Sequence, residues 1–131
     1  MYLIDVQILT IKGHYDMNLK LIEKAVVDAL KGPITALRIH TISFKDDAND
    51  MTNFFEPLKN KTLRPFKSLT FYSCDISFNR EIIPVELHNT IEHLEFSSCN
   101  LDVNAINPLI TLVGKLPNLK ELVIDHNKFT Y

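Results

Sequence analysis

Glycine is scarce in this chain, which has three glycines and no glycine-rich run that could wrap a phosphate group. The Gly-x-Ser-x-Gly elbow of serine hydrolases is absent too. The acidic run Asp46, Asp47 and Asp50 lacks the glycine and the distal glutamate of a calcium loop. Histidines are spread along the chain without the spacing that places two metal ligands on one helical face: His14, His40, His88, His93 and His126. We therefore expect no metal, no cofactor and no enzyme activity.

Charge of one sign and long hydrophobic runs are also lacking. The net charge is -2, and without a basic excess a nucleic-acid partner is disfavoured. No run of 18 apolar residues exists, so we expect no membrane partner. Residues 1–5 lack the basic and apolar regions of a signal peptide, which favours a cytoplasmic protein. Hydrophobic residues make up 46% of the 131 positions, enough for a single domain spanning 1–131 with a continuous core.

One spacing of apolar residues recurs along the chain. Residues 119–129 read Leu-x-x-Leu-x-Ile-x-x-Asn-x-Phe. The same spacing appears four times before it, most weakly in the first copy: Val6, Leu9, Ile11, His14; Ile34, Leu37, Ile39, Ile42, Phe44; Phe66, Leu69, Phe71, Cys74, Ile76; and Ile91, Leu94, Phe96, Cys99, Leu101. The repeats start near residues 6, 34, 66, 91 and 119, so each unit is 25 to 32 residues long. A unit of that size can hold a strand, a crossover and two turns.

This pattern resembles the leucine-rich repeat, L-x-x-L-x-L-x-x-N/C-x-L, in its ribonuclease-inhibitor-like subclass, and the resemblance covers essentially the whole chain. It implies an α/β solenoid with a parallel sheet on the concave side and helices and loops on the convex side. The alternative is a doubly wound α/β domain with a site at a topological switch point. That alternative explains the alternation of strands and helices, but not the fixed offset of Cys74, Cys99 and Asn127.

Two of the four intervals between strands predict full helices. In the first, Asn18 is the expected N-cap of a helix that Lys31, Gly32 and Pro33 end. In the fourth, Pro108 is expected at the first helical position. The second interval predicts a short helix over 51–60 after a polar loop, and the third predicts at most one turn over 85–88.

The two cysteines, Cys74 and Cys99, occupy the Asn/Cys position of consecutive units. We predict that both are buried free thiols. A disulfide between them is geometrically conceivable, since adjacent strands lie about 4.8 Å apart. Neither cysteine has a histidine or a second cysteine at ligand spacing, so a metal role is disfavoured.

Alternation of side chains along each strand predicts which residues face away from the core. On this basis the concave face carries Ile8, Thr10, Lys12; Ala36, Arg38, His40; Ser68, Thr70, Tyr72; His93, Glu95, Ser97; and Glu121, Val123, Asp125. Cationic residues lie at one end of this set and acidic residues at the other, with Tyr72 between them. Tyrosine and arginine often anchor interfaces. We therefore expect a protein partner to bind through an edge of the sheet or through the concave face, at Lys12, Arg38, His40, Thr70, Tyr72, His93, Glu95, Ser97, Glu121, Val123 and Asp125.

Other interpretations stay open at this point. The resemblance implies an interaction module, whereas a small enzyme or ligand-binding domain would assemble its site from distant residues such as His40, Tyr72 and Glu95. The two ends of the sheet look uncapped. The chain is then part of a longer repeat protein, or its sheet edges pair in a homodimer, or residues 1–5 and the Phe129 and Tyr131 tail act as caps.

Overall fold

The recurring apolar pairs form the strands of one sheet. The computed structural model describes residues 8–13, 24–25, 28, 34–41, 67–74 and 90–128. Five strands lie within them: β1 (Ile8–Lys12), β2 (Ala36–His40), β3 (Ser68–Tyr72), β4 (His93–Ser97) and β5 (Glu121–Val123). Each of β1 to β4 carries the apolar-x-apolar pair of one unit, whereas β5 carries Leu122 and Ile124 directly follows it. The two residues of a pair lie on the same face, because alternate side chains of a strand point the same way.

All neighbouring strands are parallel, and their order in the sheet is their order in the chain, β1-β2-β3-β4-β5. The register aligns Leu37, Leu69 and Leu94 across the central strands. The predicted α/β architecture with a parallel sheet is therefore confirmed. Among the five described strands the order never reverses, so they contain no topological switch point, which disfavours the doubly wound alternative.

One face of the sheet forms the core. The fully covered side chains of the central strands are large: Leu37, Ile39, Leu69, Phe71, Leu94 and Phe96. Phe71 and Phe96 stack across β3 and β4 with ring centroids 5.3 Å apart and nearly parallel planes. Leu109 and Leu112 of the following helix belong to the same buried cluster. Packing of that helix on the apolar face leaves the opposite face of the sheet available to solvent.

The described helix starts earlier than its proline predicts. A 3₁₀ turn over Val103–Ala105, capped by the Asp102 side chain, leads directly into helix α1 (Ile106–Gly114). Pro108 is the third residue of α1, not the first. The first turn tolerates it, because amide groups there have no partner within the helix. In the first interval Lys24, Ala25 and Asp28 are helical as predicted, whereas the predictions for 45–60 and 75–89 lie outside the described residues.

The residue after each central strand turns the chain sharply. Thr41, Ser73 and Ser98 have positive φ, between 56° and 60°, although none is glycine, and His126 has the same conformation in the turn after β5. The amides of Thr41, Ser73 and Ser98 each donate to a carbonyl of the next unit, which prolongs the sheet ladder by one bond. The residues that follow Ser73, Ser98 and His126 direct their side chains back toward the preceding strand.

That following residue satisfies backbone carbonyls in three successive units. The Cys74 thiol donates to the carbonyl of Ile39 at 3.5 Å, and the Cys99 thiol donates to the carbonyl of Phe71 at 3.4 Å. Asn127 does the same one unit later, since its Nδ2 donates to the Phe96 carbonyl at 2.7 Å. The side chains at the recurring Asn/Cys position therefore share one contact, a hydrogen bond donated to a buried carbonyl of the preceding strand.

Both cysteines are free and buried, as predicted. Burial, reinforced by the neighbouring Cys74, raises the pKa of the Cys99 thiol to about 12. The thiol therefore keeps its proton at neutral pH and remains a donor. Among the helices that lie in the described part of the chain, none combines the length and the apolar composition needed to cross a bilayer.

Asn127 also accepts two bonds, from the amides of Cys99 at 2.9 Å and Leu101 at 3.1 Å. We expect Asn127→Ala to lower the free energy of unfolding by about 2 to 4 kcal/mol, because two amides lose their acceptor and the carbonyls of Phe96, Ile124 and Asp125 lose a donor. Asn127→Cys should fall between Asn127→Ala and the unaltered chain, since a thiol restores only the bond to the Phe96 carbonyl. Urea unfolding followed by circular dichroism measures both.

The matched control is Asn107→Ala on α1, whose exposed side chain makes no hydrogen bond to a described residue. This control should change the unfolding free energy by less than about 0.5 kcal/mol. Equal losses in the Asn127→Ala and Asn107→Ala variants would show that the strand-end bonds contribute nothing specific.

Candidate functional site

The face of the sheet opposite the core carries three rows of side chains, which we call the polar face. The register places each row across the strands. The rows are Ile8, Ala36, Ser68, His93 and Glu121; Thr10, Arg38, Thr70, Glu95 and Val123; and Lys12, His40, Tyr72 and Ser97. The structure thus places the residues predicted for the concave face in matching rows, except Asp125, which lies in the turn after β5.

An open depression of about 420 Å³ lies over β2, β3 and β4 at the centre of the polar face. Its lining combines cationic, aromatic, hydroxyl and acidic groups: Arg38, His40, Ser68, Thr70, Tyr72, His93 and Glu95. Tyr72 is 46% exposed there, an unusual degree for so large a side chain on a central strand. Lys12, Glu121, Val123 and Asp125 lie outside this lining.

Some residues predicted to bind a partner have little exposed surface. Thr70 is 8% exposed and Ser97 is 4% exposed. Thr70 lies between the longer side chains of Arg38 and Glu95 in its row, and Ser97 donates its hydroxyl to Glu95. These two residues therefore support their neighbours and offer a partner little area.

His93 joins two carboxylates on the acidic half of the polar face. Its Nδ1 lies 2.7 Å from Glu121 Oε1, and its Nε2 lies 3.0 Å from Glu95 Oε1. A neutral imidazole has only one N–H, so the ring can donate to both carboxylates only when it is protonated. The Ser97 hydroxyl donates to the other oxygen of Glu95 at 2.9 Å. Strands β4 and β5 are therefore tied together by side chains as well as by backbone.

A second ionic group lies where the strands begin. Glu92 Oε2 is 2.9 Å from Lys67 Nζ, and Glu92 Oε1 is 3.4 Å from Lys120 Nζ. The two lysine contacts lower the pKa of the Glu92 carboxyl below its usual range, with Lys67 contributing most. Sequence reasoning missed this group. The group could have been predicted from the alignment of the repeats, since each of the three residues directly precedes a strand and the three strands are neighbours.

The cationic half of the polar face is built differently. Lys12 and Arg38 are exposed, and neither forms an ion pair with any residue that the structure describes. His40 stands beside them, and its ring lies 5.4 Å from the Tyr72 ring at an angle of 39°. Partial burial, then Lys12 and Arg38, lowers the pKa of His40 below its usual value. His40 is therefore neutral at pH 7.

The groups available for chemistry at this face are limited among the described residues. Within the described ranges no group of three or more His, Cys, Asp or Glu side chains could hold a metal ion. Glu95 already accepts hydrogen bonds from His93 and Ser97. Each oxygen of this carboxylate therefore has a partner within the protein and retains one further lone pair.

No protein-family model, curated protein or solved structure matches this chain.

The lowered pKa of His40 has a testable sign. We expect NMR titration of His40 in the folded chain to give a pKa below that of the same residue in the urea-unfolded chain. Stability from this group is then present above the unfolded value of about 6.5 and is lost as the pH falls through the folded value.

A substitution of Lys12 separates the effect of neighbouring charge on the pKa of His40 from the effect of burial. Lys12→Met should raise the pKa of His40, because it removes a neighbouring positive charge. Lys128→Met, beyond the far edge of the sheet, should leave it unchanged. A pKa of His40 at or above the unfolded value would contradict this description of the cationic half.

Proposed function

We propose that this chain is a non-catalytic leucine-rich repeat module of the ribonuclease-inhibitor-like type, which binds a protein partner through its polar face. One observation carries the proposal: the centre of an exposed sheet face holds an open depression with Tyr72 half exposed between ionic groups. Exposed aromatic and arginine side chains on a rigid sheet provide binding area at a low entropic cost.

The repeat assignment is supported by three regularities of the described units. The order of the strands in the sheet is their order in the chain, and the register places the same position of neighbouring units side by side. The side-chain donor after the strand recurs at Cys74, Cys99 and Asn127. A chain in which each unit contacts chiefly its neighbours would extend as a solenoid. In such a solenoid the polar face is the concave face.

An enzyme or ligand-binding domain is the second candidate. The observation in its favour is that His40, Tyr72 and Glu95 line the same depression. The depression is open, however, and its carboxylate is engaged by His93 and Ser97. An open depression excludes little water, and exclusion of water strengthens electrostatic catalysis. We therefore favour the interaction module.

The proposal places the module in the cytoplasm, where thiols such as Cys74 and Cys99 stay reduced. It also leaves the sheet edges as a second contact surface, because β1 and β5 each have one side without a described strand. Pairing of two copies through an edge would make a homodimer, and light scattering over a range of concentrations would detect it.

The polar face is tested by removing its largest exposed side chain. We expect Tyr72→Ala to weaken capture of the specific partner from an extract of the source organism by about 30-fold, equivalent to roughly 2 kcal/mol for an anchoring side chain. The measurement is quantitative mass spectrometry of the proteins retained by the immobilised chain, followed by the Kd of the best purified candidate.

Ile110→Ala provides the matched control, since Ile110 is 64% exposed on α1 rather than on the polar face. It should retain the same proteins as the unaltered chain. A partner lost by Ile110→Ala and kept by Tyr72→Ala would place the binding surface on the helix side and would overturn the proposal.

A further inference from the structure

The two charged halves of the polar face are not equivalent. On the acidic half, Glu95 and Glu121 share His93 at 3.0 and 2.7 Å, and Glu95 also accepts the Ser97 hydroxyl at 2.9 Å. Next to this group, the Glu92 carboxylate lies between two lysines. These carboxylates therefore have partners within the protein.

The cations of the other half have no such partners among the described residues. Lys12 and Arg38 belong to neighbouring strands, and both are exposed. His40 lies in register with Lys12 and two residues from Arg38, and its neutral ring can donate one N–H or accept one bond. Three nitrogen groups thus face solvent beside Tyr72 with their hydrogen-bonding capacity unused by described residues.

We propose that the partner of the polar face presents an acidic peptide segment, whose carboxylate binds at Arg38 and Lys12 with an adjacent side chain against Tyr72. The inference rests on the proposed function and adds the chemistry of the partner. A guanidinium offers a planar fork that matches a carboxylate in two parallel hydrogen bonds. Charge complementarity at this half would also set the orientation in which the partner docks.

A peptide carboxylate fits better than a polyanion such as nucleic acid. Glu95 lines the depression two strands from Arg38, about 10 Å away at the spacing of adjacent strands. A continuous run of phosphates crossing the face would meet this carboxylate, whereas a segment with one or two acidic residues need not. The net charge of -2 also gives a polyanion no long-range attraction.

Selection from a random peptide library displayed on phage tests the inference. We expect the unaltered chain to enrich peptides rich in Asp and Glu, and we expect these peptides to bind at least tenfold more weakly to Lys12→Glu with Arg38→Glu. The reversed pair should itself enrich Lys and Arg peptides. Lys24→Glu with Lys128→Glu, the control, makes the same change in net charge at exposed sites away from the polar face and should bind like the unaltered chain.

A second variant keeps the test decisive if the reversed pair does not fold. Lys12→Gln with Arg38→Gln removes the two charges without placing new carboxylates near Glu95, and it should also lose at least tenfold in binding. If the enriched peptides show no excess of Asp and Glu but still require Tyr72 for binding, the inference of an acidic partner is wrong and the proposed function remains supported. Enriched peptides that bind equally to Tyr72→Ala, or no enrichment at all, would overturn both.

Discussion

The structure depends on how the carbonyl groups at the strand ends are hydrogen-bonded. Each unit turns away from the sheet after its strand, and a side chain at one fixed offset in the turn donates a hydrogen bond to a buried carbonyl of the preceding strand. The donors run from Cys74 to Ile39, from Cys99 to Phe71 and from Asn127 to Phe96. Because an unsatisfied buried carbonyl is costly, this position restricts both the residue type and the register of the next strand.

Because the register is fixed, residues that are far apart in the sequence come into contact across neighbouring strands. His93 and Glu121 are 28 residues apart, yet they share a row and lie within hydrogen-bond reach. Lys67 and Glu92, 25 residues apart, pair for the same reason where their strands begin. The ion pairs of the polar face therefore depend on which residues share a row, and depend less on the net charge of the chain.

The sequence was sufficient to predict the strands and the face on which their side chains lie, because both depend on a local period that the apolar residues make visible. The start of α1 was misplaced by two residues, since Pro108 is acceptable anywhere in a first turn and Asp102 provides the cap through a 3₁₀ turn. The burial of Thr70 and Ser97 could not be predicted, because it depends on the longer side chains beside them.

The charge pairing of the polar face was missed for a different reason. The order of the face residues along the chain predicts a cationic end and an acidic end, but it does not predict which charges have partners. In the sheet, His93 lies within hydrogen-bond distance of both Glu95 and Glu121, whereas no described residue forms an ion pair with Lys12 or Arg38. His93 and Glu121 hold the same position of neighbouring units, and Glu95 lies two residues from His93 on the same face of β4. A comparison of the units position by position, with strand alternation, is therefore sufficient to place these groups side by side from the sequence.

This asymmetry also decides where binding free energy can arise. A cationic group of a partner that approaches Glu95 or Glu121 must compete with His93 and remove water from charges that already have partners, so its net gain is small. A carboxylate that approaches Arg38 replaces water alone and can form two hydrogen bonds at once. Although the polar face contains both signs of charge, the uneven pairing would favour the proposed acidic segment over a basic one, and the acidic half would disfavour a partner with a long run of negative charge.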